Sequence, residues 1–244
     1  MTPMANVTIL AYTPNPEVVV VAAARTSFKE YGASIAYNKL KNVSDAEKIK
    51  NDIRELIKHN HLSPIEHVSF TFALEGVSRS LTHQLVRHRI ASYTQQSQRY
   101  VKVDTASQDW FVLPPTYDTE EKRLKFIERM RKIASWYEDD IKNGVSKEDA
   151  RFLLPNATKT NIVVTMNARE LLHFFNLRCC ARCQWELRGI ATEVLKQVKR
   201  VAPTIFENAG PSCMKGVCPE GDLMPDECRK IGIPNIQKRF KELR

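Results

Sequence analysis

The apolar positions change period several times along the chain. In AEKIKNDIRELIKHNH, from Ala46 to His61, Ile49, Ile53 and the Leu56–Ile57 pair recur at three to four residues, which predicts a helix. Ser44 precedes it with Glu47 three residues on, a capping-box signature. In EHVSFTFALEG the spacing becomes two: Val68, Phe70, Phe72 and Leu74 alternate with polar or small residues, which predicts a strand opened by His67 and ended by Gly76. SRSLTHQLVRHR, residues 78–89, returns to helical spacing, and RYVKV, residues 99–103, has the composition of a short strand. Residues 119–142 predict a long amphipathic helix with Leu124, Ile127, Ala134, Tyr137 and Ile141 on one side, ended by Gly144. Ser146 with Asp149 caps a short helix through Leu154, stopped by Pro155. NIVVTMN is a strand of buried type, ARELLHFFNLR a helix, and QWELRGIATEVLKQVKRVAP another helix, ended by Pro203. Helices and strands interleave without a repeat or a composition break. The expectation is one α+β domain over residues 1–244, with a peripheral tail from about residue 208.

Apolar residues at 43% and charged residues at 27% fit a soluble globular protein. The longest unbroken apolar run, Val18–Ala24, falls far short of the ~20 residues of a membrane span. The N-terminal MTPMANVTILAYTP lacks the basic and apolar regions of a signal peptide, so the expected compartment is the cytoplasm, with no membrane partner. A net charge of +9 suits an anionic partner, whether nucleic acid, nucleotide or polyanionic cofactor, without choosing among them. The six cysteines fall in the last third. Cys180-x2-Cys183 and Cys213-x4-Cys218 raise a zinc site, but the second spacing is loose for one, and free thiols with no metal are expected.

Candidate chemistry concentrates in RHRIASYTQQSQRY, residues 87–100. It holds Arg87, His88, Arg89 and Arg99, many hydrogen-bonding side chains and no carboxylate. On the helix leading into it, Val77, Leu81 and Leu85 share an apolar side, and His83, Gln84 and Arg87 share another. Arginine forks grip phosphate oxygens in pairs, and glutamine and serine read ring carbonyl and imide groups. A composite site for phosphate and a planar heterocycle fits; so does a solvated polar face. In NARELLHFFNLR, Arg169, His173 and Asn176 line one face, opposite Leu171, Phe174 and Phe175. Arg178 falls on the apolar side at the helix end, where it must snorkel, pair, meet a ligand or cap the C-terminus. Arg151 sits among apolar residues in the same way. His59, His61, Glu66 and His67 invite a metal-hydrolase reading, although no separate third-ligand motif stands out. Neither G-x-G-x-x-G nor G-x-x-x-x-G-K occurs, so a nucleotide here is held by side chains. No serine elbow appears either.

Arg87-His88-Arg89, seven residues, then Ser97 form the pattern R-H-R-x7-S. With SPIEHVSFTF before it and ARFLLP and MNARELLHFFNLRCCARCQWE after it, the chain closely resembles the flavin-dependent thymidylate synthases from about Ala22 to Glu207. The resemblance implies an α+β fold with a mixed, mainly antiparallel sheet flanked by helices. It also implies homotetramers with active sites shared between subunits. The implied activity is reductive methylation of dUMP to dTMP. 5,10-methylenetetrahydrofolate supplies the carbon and leaves as tetrahydrofolate, and NADPH supplies reducing equivalents through FAD. Residue by residue, Ser63, Arg87, His88, Arg89, Gln95, Asn167, Ala168, Arg169 and His173 match flavin positions, with His61 and Glu66 in the same flavin-proximal segment. Gln84, Arg87, Gln95, Gln96, Ser97, Gln98, Arg99 and Arg151 match the dUMP site, and Arg178 matches the arginine that polarises the pyrimidine. Two departures stand out: Thr94-Gln95 replaces the family's frequent Asn-Glu, and His173 is asparagine in some relatives. A nucleic-acid-binding module using Tyr93 and Tyr100 is the alternative, disfavoured because the arginines are embedded beside apolar helix faces.

Overall fold

Phe70, Phe72 and Leu74 turn their shared face inward and are each at most 1% exposed, as their alternation requires. In the computed structural model, which describes residues 5–42, 46–107 and 109–243, they belong to the second strand. The elements run β1 (Asn6–Tyr12), α1 (Pro16–Thr26), α2 (Ala33–Lys41), α3 (Ala46–Lys58), β2 (Ser69–Ser78), α4 (Arg79–Leu85) and β3 (Ala91–Gln95). There follow α5 (Glu120–Lys142), α6 (Lys147–Ala150), β4 (Lys159–Asn167), α7 (Ala168–Arg178), α8 (Trp185–Val201), α9 (Asp226–Ile231) and α10 (Ile233–Lys241). The strands form one antiparallel sheet in the order β1-β2-β4-β3, so the fold is the expected α+β class. Among the described residues no helix is long and apolar enough to cross a membrane.

The chain divides into two compact units. The first is built mainly from Ala73–Arg87 and Tyr93–Val163. Its core gathers Trp110, Phe111, Phe126 and Met130, with Tyr117, Ile127 and Ala134 packed against them. On α5 the buried stripe is Phe126, Met130 and Tyr137, and Leu124, expected on it, is 56% exposed. Leu124 lies two residues from Phe126, nearly opposite on a helix, so both cannot face one core. Thr119 caps α5 by accepting from Lys122 N, and Ser146 caps α6 by accepting from Asp149 N. The expected strand at residues 99–103 is a turn and loop instead. Its polar groups are met by α5: Lys102 pairs with Glu138, and Val103 N donates to the Tyr137 hydroxyl at 3.3 Å.

The second unit is built mainly from Val7–Phe72, His88–Ser92 and the chain from Val164 onward. Phe206 meets Phe70 and Phe175 edge-on, with centroids 5.8 and 5.9 Å apart. α8 adds the stripe Leu187, Ile190, Ala191, Val194, Leu195 and Val198. The capping residue expected for α3, Ser44, lies outside the described residues. Ser63–His67 is a 3-10 turn with Pro64 near its start, so His67 closes that turn rather than opening β2. The tail packs Ile236 and Phe240 inward, and Lys199 Nζ donates to the carbonyls of Glu207 and Phe240. A Cβ at Gly210 would stand 2.9 Å from Met214 Cγ, so only glycine allows that close approach.

Candidate functional site

The candidates fall into two groups, one in each unit. In the first unit, Ser78 starts α4 by accepting from Leu81 N at 3.0 Å. The helix then partitions as its spacing requires. Val77, Leu81 and Leu85 are buried, Gln84 is half-buried, and His83 is exposed, as is Arg87 just past the helix end. Gly76 does not end β2. With φ at +71° it lets the strand bend and continue to Ser78, and its N–H donates to Asn161 Oδ1 at 3.0 Å.

Gln95 has a local explanation. Its Nε2 donates to the hydroxyls of Thr82 and Thr160 at 3.2 and 3.3 Å. The Thr82 hydroxyl donates to Arg79 O, so toward Gln95 it can only accept. A carboxylate offers no proton for that bond; an amide does. Gln96, Ser97 and Gln98 line a cavity of about 360 Å³ with Lys102, Trp110 and Thr160. Gln98 Nε2 is buried there with no hydrogen-bond partner among the described residues, a donor suited to a ligand acceptor. Arg99 pairs with Glu148 through Nε at 2.7 Å, and Arg151 Nε donates to the Glu148 carbonyl at 2.9 Å. Arg79, which the sequence did not single out, joins this cationic end. Burial, then the charge of Arg151, pull its pKa below the ordinary value.

In the second unit, Asn167 starts α7 by accepting from Glu170 N at 2.8 Å, and Ala168 N donates to Val68 O at 2.7 Å. This fixes the rotation of α7. Arg169 and His173 are exposed and Asn176 is half-buried, while Leu171, Phe174 and Phe175 are buried. Arg169 pairs with Glu66, and Ser63, His61 and Arg89 are exposed. His59, His61, Glu66 and His67 do not gather. His59 instead meets Glu55 at 3.2 Å, and the His59 and His61 rings stand 6.1 Å apart.

The buried chemistry centres on His88, which is 4% exposed. Its Nδ1 lies 2.9 Å from Glu170 Oε1, and Arg178 Nε donates to its Nε2 at 3.0 Å. Phe174 and His173 meet the ring edge-on at 5.0 and 5.8 Å. Burial lowers the His88 pKa, the Glu170 hydrogen bond opposes that, and the Arg178 charge lowers it further. Arg178 therefore pairs rather than snorkels. Glu170 is the residue that sequence reasoning missed. It sits at i, i+4, i+8 with Phe174 and Arg178, so a carboxylate shared the face on which the arginine stood out. Among the described residues, His88, Glu170 and His173 are the one group whose potential metal-ligand atoms all lie within 4.8 Å. Hydrogen bonds to Glu170 and Arg178 occupy both His88 nitrogens, and the guanidinium repels a cation. The six cysteines are free thiols. Burial pushes Cys179 up to about 12, and Arg178 reaches the half-buried Cys183 thiol.

Residues 8–204 match the family described as thymidylate synthase complementing protein. The chain is 50% identical over 235 residues to the flavin-dependent thymidylate synthase of Clostridium tetani, covering 89% of this chain and 92% of that protein. It is 47% identical over 241 residues to the one of Geobacter sulfurreducens, covering 98% and 99%. The one of Pyrococcus furiosus is 42% identical over 234 residues, covering 93% and 94%.

Proposed function

Since this chain belongs to the flavin-dependent thymidylate synthase family, we propose that it converts dUMP to dTMP with FAD as cofactor, 5,10-methylenetetrahydrofolate as carbon donor and NADPH as reductant. One observation carries this reading. The R-H-R-x7-S segment and the α7 motif, 90 residues apart in sequence, meet in the bond from Arg178 to His88. Each segment alone is a polar stretch; joined, they present an arginine held from behind by a buried ring.

The donor set of the second unit fits a flavin dinucleotide. Arg89 and Arg169 offer cationic forks to the diphosphate, Ser63 a hydroxyl, and His173 and Asn167 polar groups for ring edges. Asn167 keeps Nδ2 as a donor for this while Oδ1 caps the helix. When bound, FAD supplies hydride-transfer chemistry to the pyrimidine. The protein's own share is orientation and electrostatics. Gln84, Arg87, Gln96, Ser97, Gln98, Arg99 and Arg151 bind the nucleotide, and the orphan Nε2 of Gln98 gains an acceptor when they do. Arg178 polarises the imide of the pyrimidine, stabilising charge that develops on the ring.

The assembly is a homotetramer with shared sites. Its support is the exposure of Tyr100 and Phe152, at 73% and 82%, each beside a candidate nucleotide arginine. The cytoplasm is the compartment that suits six free thiols. Residues 1–244 act as one catalytic chain.

The visible spectrum of the purified protein tests the proposal. A yellow protein whose flavin absorbance is bleached by NADPH, faster with dUMP present, is expected. A colourless protein that cannot be reconstituted with FAD overturns it.

A further inference from the structure

We propose that His88 and Glu170 are positioning residues for Arg178: Glu170 holds His88 in one neutral tautomer, whose bare Nε2 orients the guanidinium. The inference rests on the role given to Arg178 above and adds what sets its direction.

The tautomer follows from donor chemistry. Arginine Nε carries a proton and has no lone pair to offer, so at 3.0 Å the His88 Nε2 must accept. The proton of the neutral ring then sits on Nδ1. It faces Glu170 Oε1 at 2.9 Å, and a carboxylate accepts it. The other tautomer would set N–H against N–H on one side and a lone pair against a carboxylate on the other. An imidazolium would set a cation against a guanidinium. At 4% and 6% exposure, water cannot replace either partner of the His88–Glu170 pair. Phe174 and His173 meet the ring edge-on and fix its plane.

The contact is made through Nε, the nitrogen nearest the stem of Arg178. A bond there sets the plane of the guanidinium and leaves the terminal nitrogens out of that bond. The Arg178 guanidinium also lies close enough to the half-buried Cys183 thiol to act on it electrostatically. Among the described residues, Glu170, Arg178 and His173, all on α7, are charged or titratable groups that act on His88. A ring kept neutral near pH 7 suits this arrangement. As pH falls and Nε2 gains a proton, the ring turns from acceptor to cation and Arg178 loses its orientation.

Two measurements test the inference. The first is nitrogen-15 NMR of histidine-labelled protein without flavin, with the His88 signals assigned by their loss in H88N or H88Q. A bare Nε2 and protonated Nδ1 at pH 7 are expected. A protonated Nε2, or a doubly protonated ring, overturns the inference whatever the activity. The second compares H88Q with H88N. The glutamine oxygen takes the place of Nε2 and can still accept from Arg178, whereas asparagine reaches only the Nδ1 position. H88Q is expected to turn over about tenfold or more faster than H88N, with KM for dUMP less affected than kcat. It should also lose the acid limb of the kcat profile. Equal losses in the two variants overturn the inference. A wild-type protein that binds flavin but makes no dTMP overturns the proposed function instead, and the NMR result still decides the tautomer.

Discussion

Arg178→Ala removes the guanidinium and leaves the His88–Glu170 pair in place, so it separates activation from cofactor binding. The variant is expected to keep its flavin absorbance and to lose dTMP formation by about a hundredfold or more, the scale of losing one charge-stabilising donor. Full turnover in that variant contradicts the role. His88 also sets a pH dependence of stability. Burial and Arg178 hold its folded pKa below the ordinary value of 6.5, so as pH falls the unfolded chain takes up the proton first. Its contribution is whole above 6.5 and is lost as pH falls from 6.5 toward the lowered value. Thermal melts are expected to show the wild type losing Tm across that interval and H88Q losing less. Arg178, His88 and the polar face of α7 were legible from type and spacing. Glu170 was not, because a first-turn acid after an Asn cap reads as an ordinary favourable helix charge. Its burial becomes visible only when His88 arrives from 82 residues away in sequence.

At the scale of elements, α7 depends on its first turn. Asn167→Ala removes the cap on Glu170 N and is expected to cost about 1 kcal/mol by denaturant titration, with Asn167→Asp recovering most of it. No loss in the alanine variant contradicts the capping role. Long periodic segments were legible: α3, α7, α8, β2 and β4 follow their apolar spacing, and α5 was found as a helix although its buried stripe passes through Phe126 and Met130 rather than Leu124. β3 was not, because ASYTQ has no apolar alternation, and its register comes from pairing beside β4, as in Gln96 N to Asn161 O at 2.9 Å. RYVKV failed in the opposite sense. Its strand composition found α5 side chains as partners rather than a sheet edge. Gln95 shows the same limit at the site. From sequence it was a lost negative charge, and the structure supplies the Thr82 hydroxyl, whose proton goes to Arg79 O and which therefore needs the amide donor.

For the whole molecule, light scattering on the purified protein is expected to give four times the 28.0 kDa chain mass, and a mass of one chain contradicts the tetramer. The net charge of +9 is consistent with substrates and a cofactor that all carry phosphate or carboxylate groups. The measurement that tests the account most directly is product analysis. Protein reconstituted with FAD is given dUMP, 5,10-methylenetetrahydrofolate and NADPH, and nucleotides are resolved by chromatography. The account predicts dTMP that appears only when all of these are present; a flavin-loaded protein that leaves dUMP unchanged contradicts it.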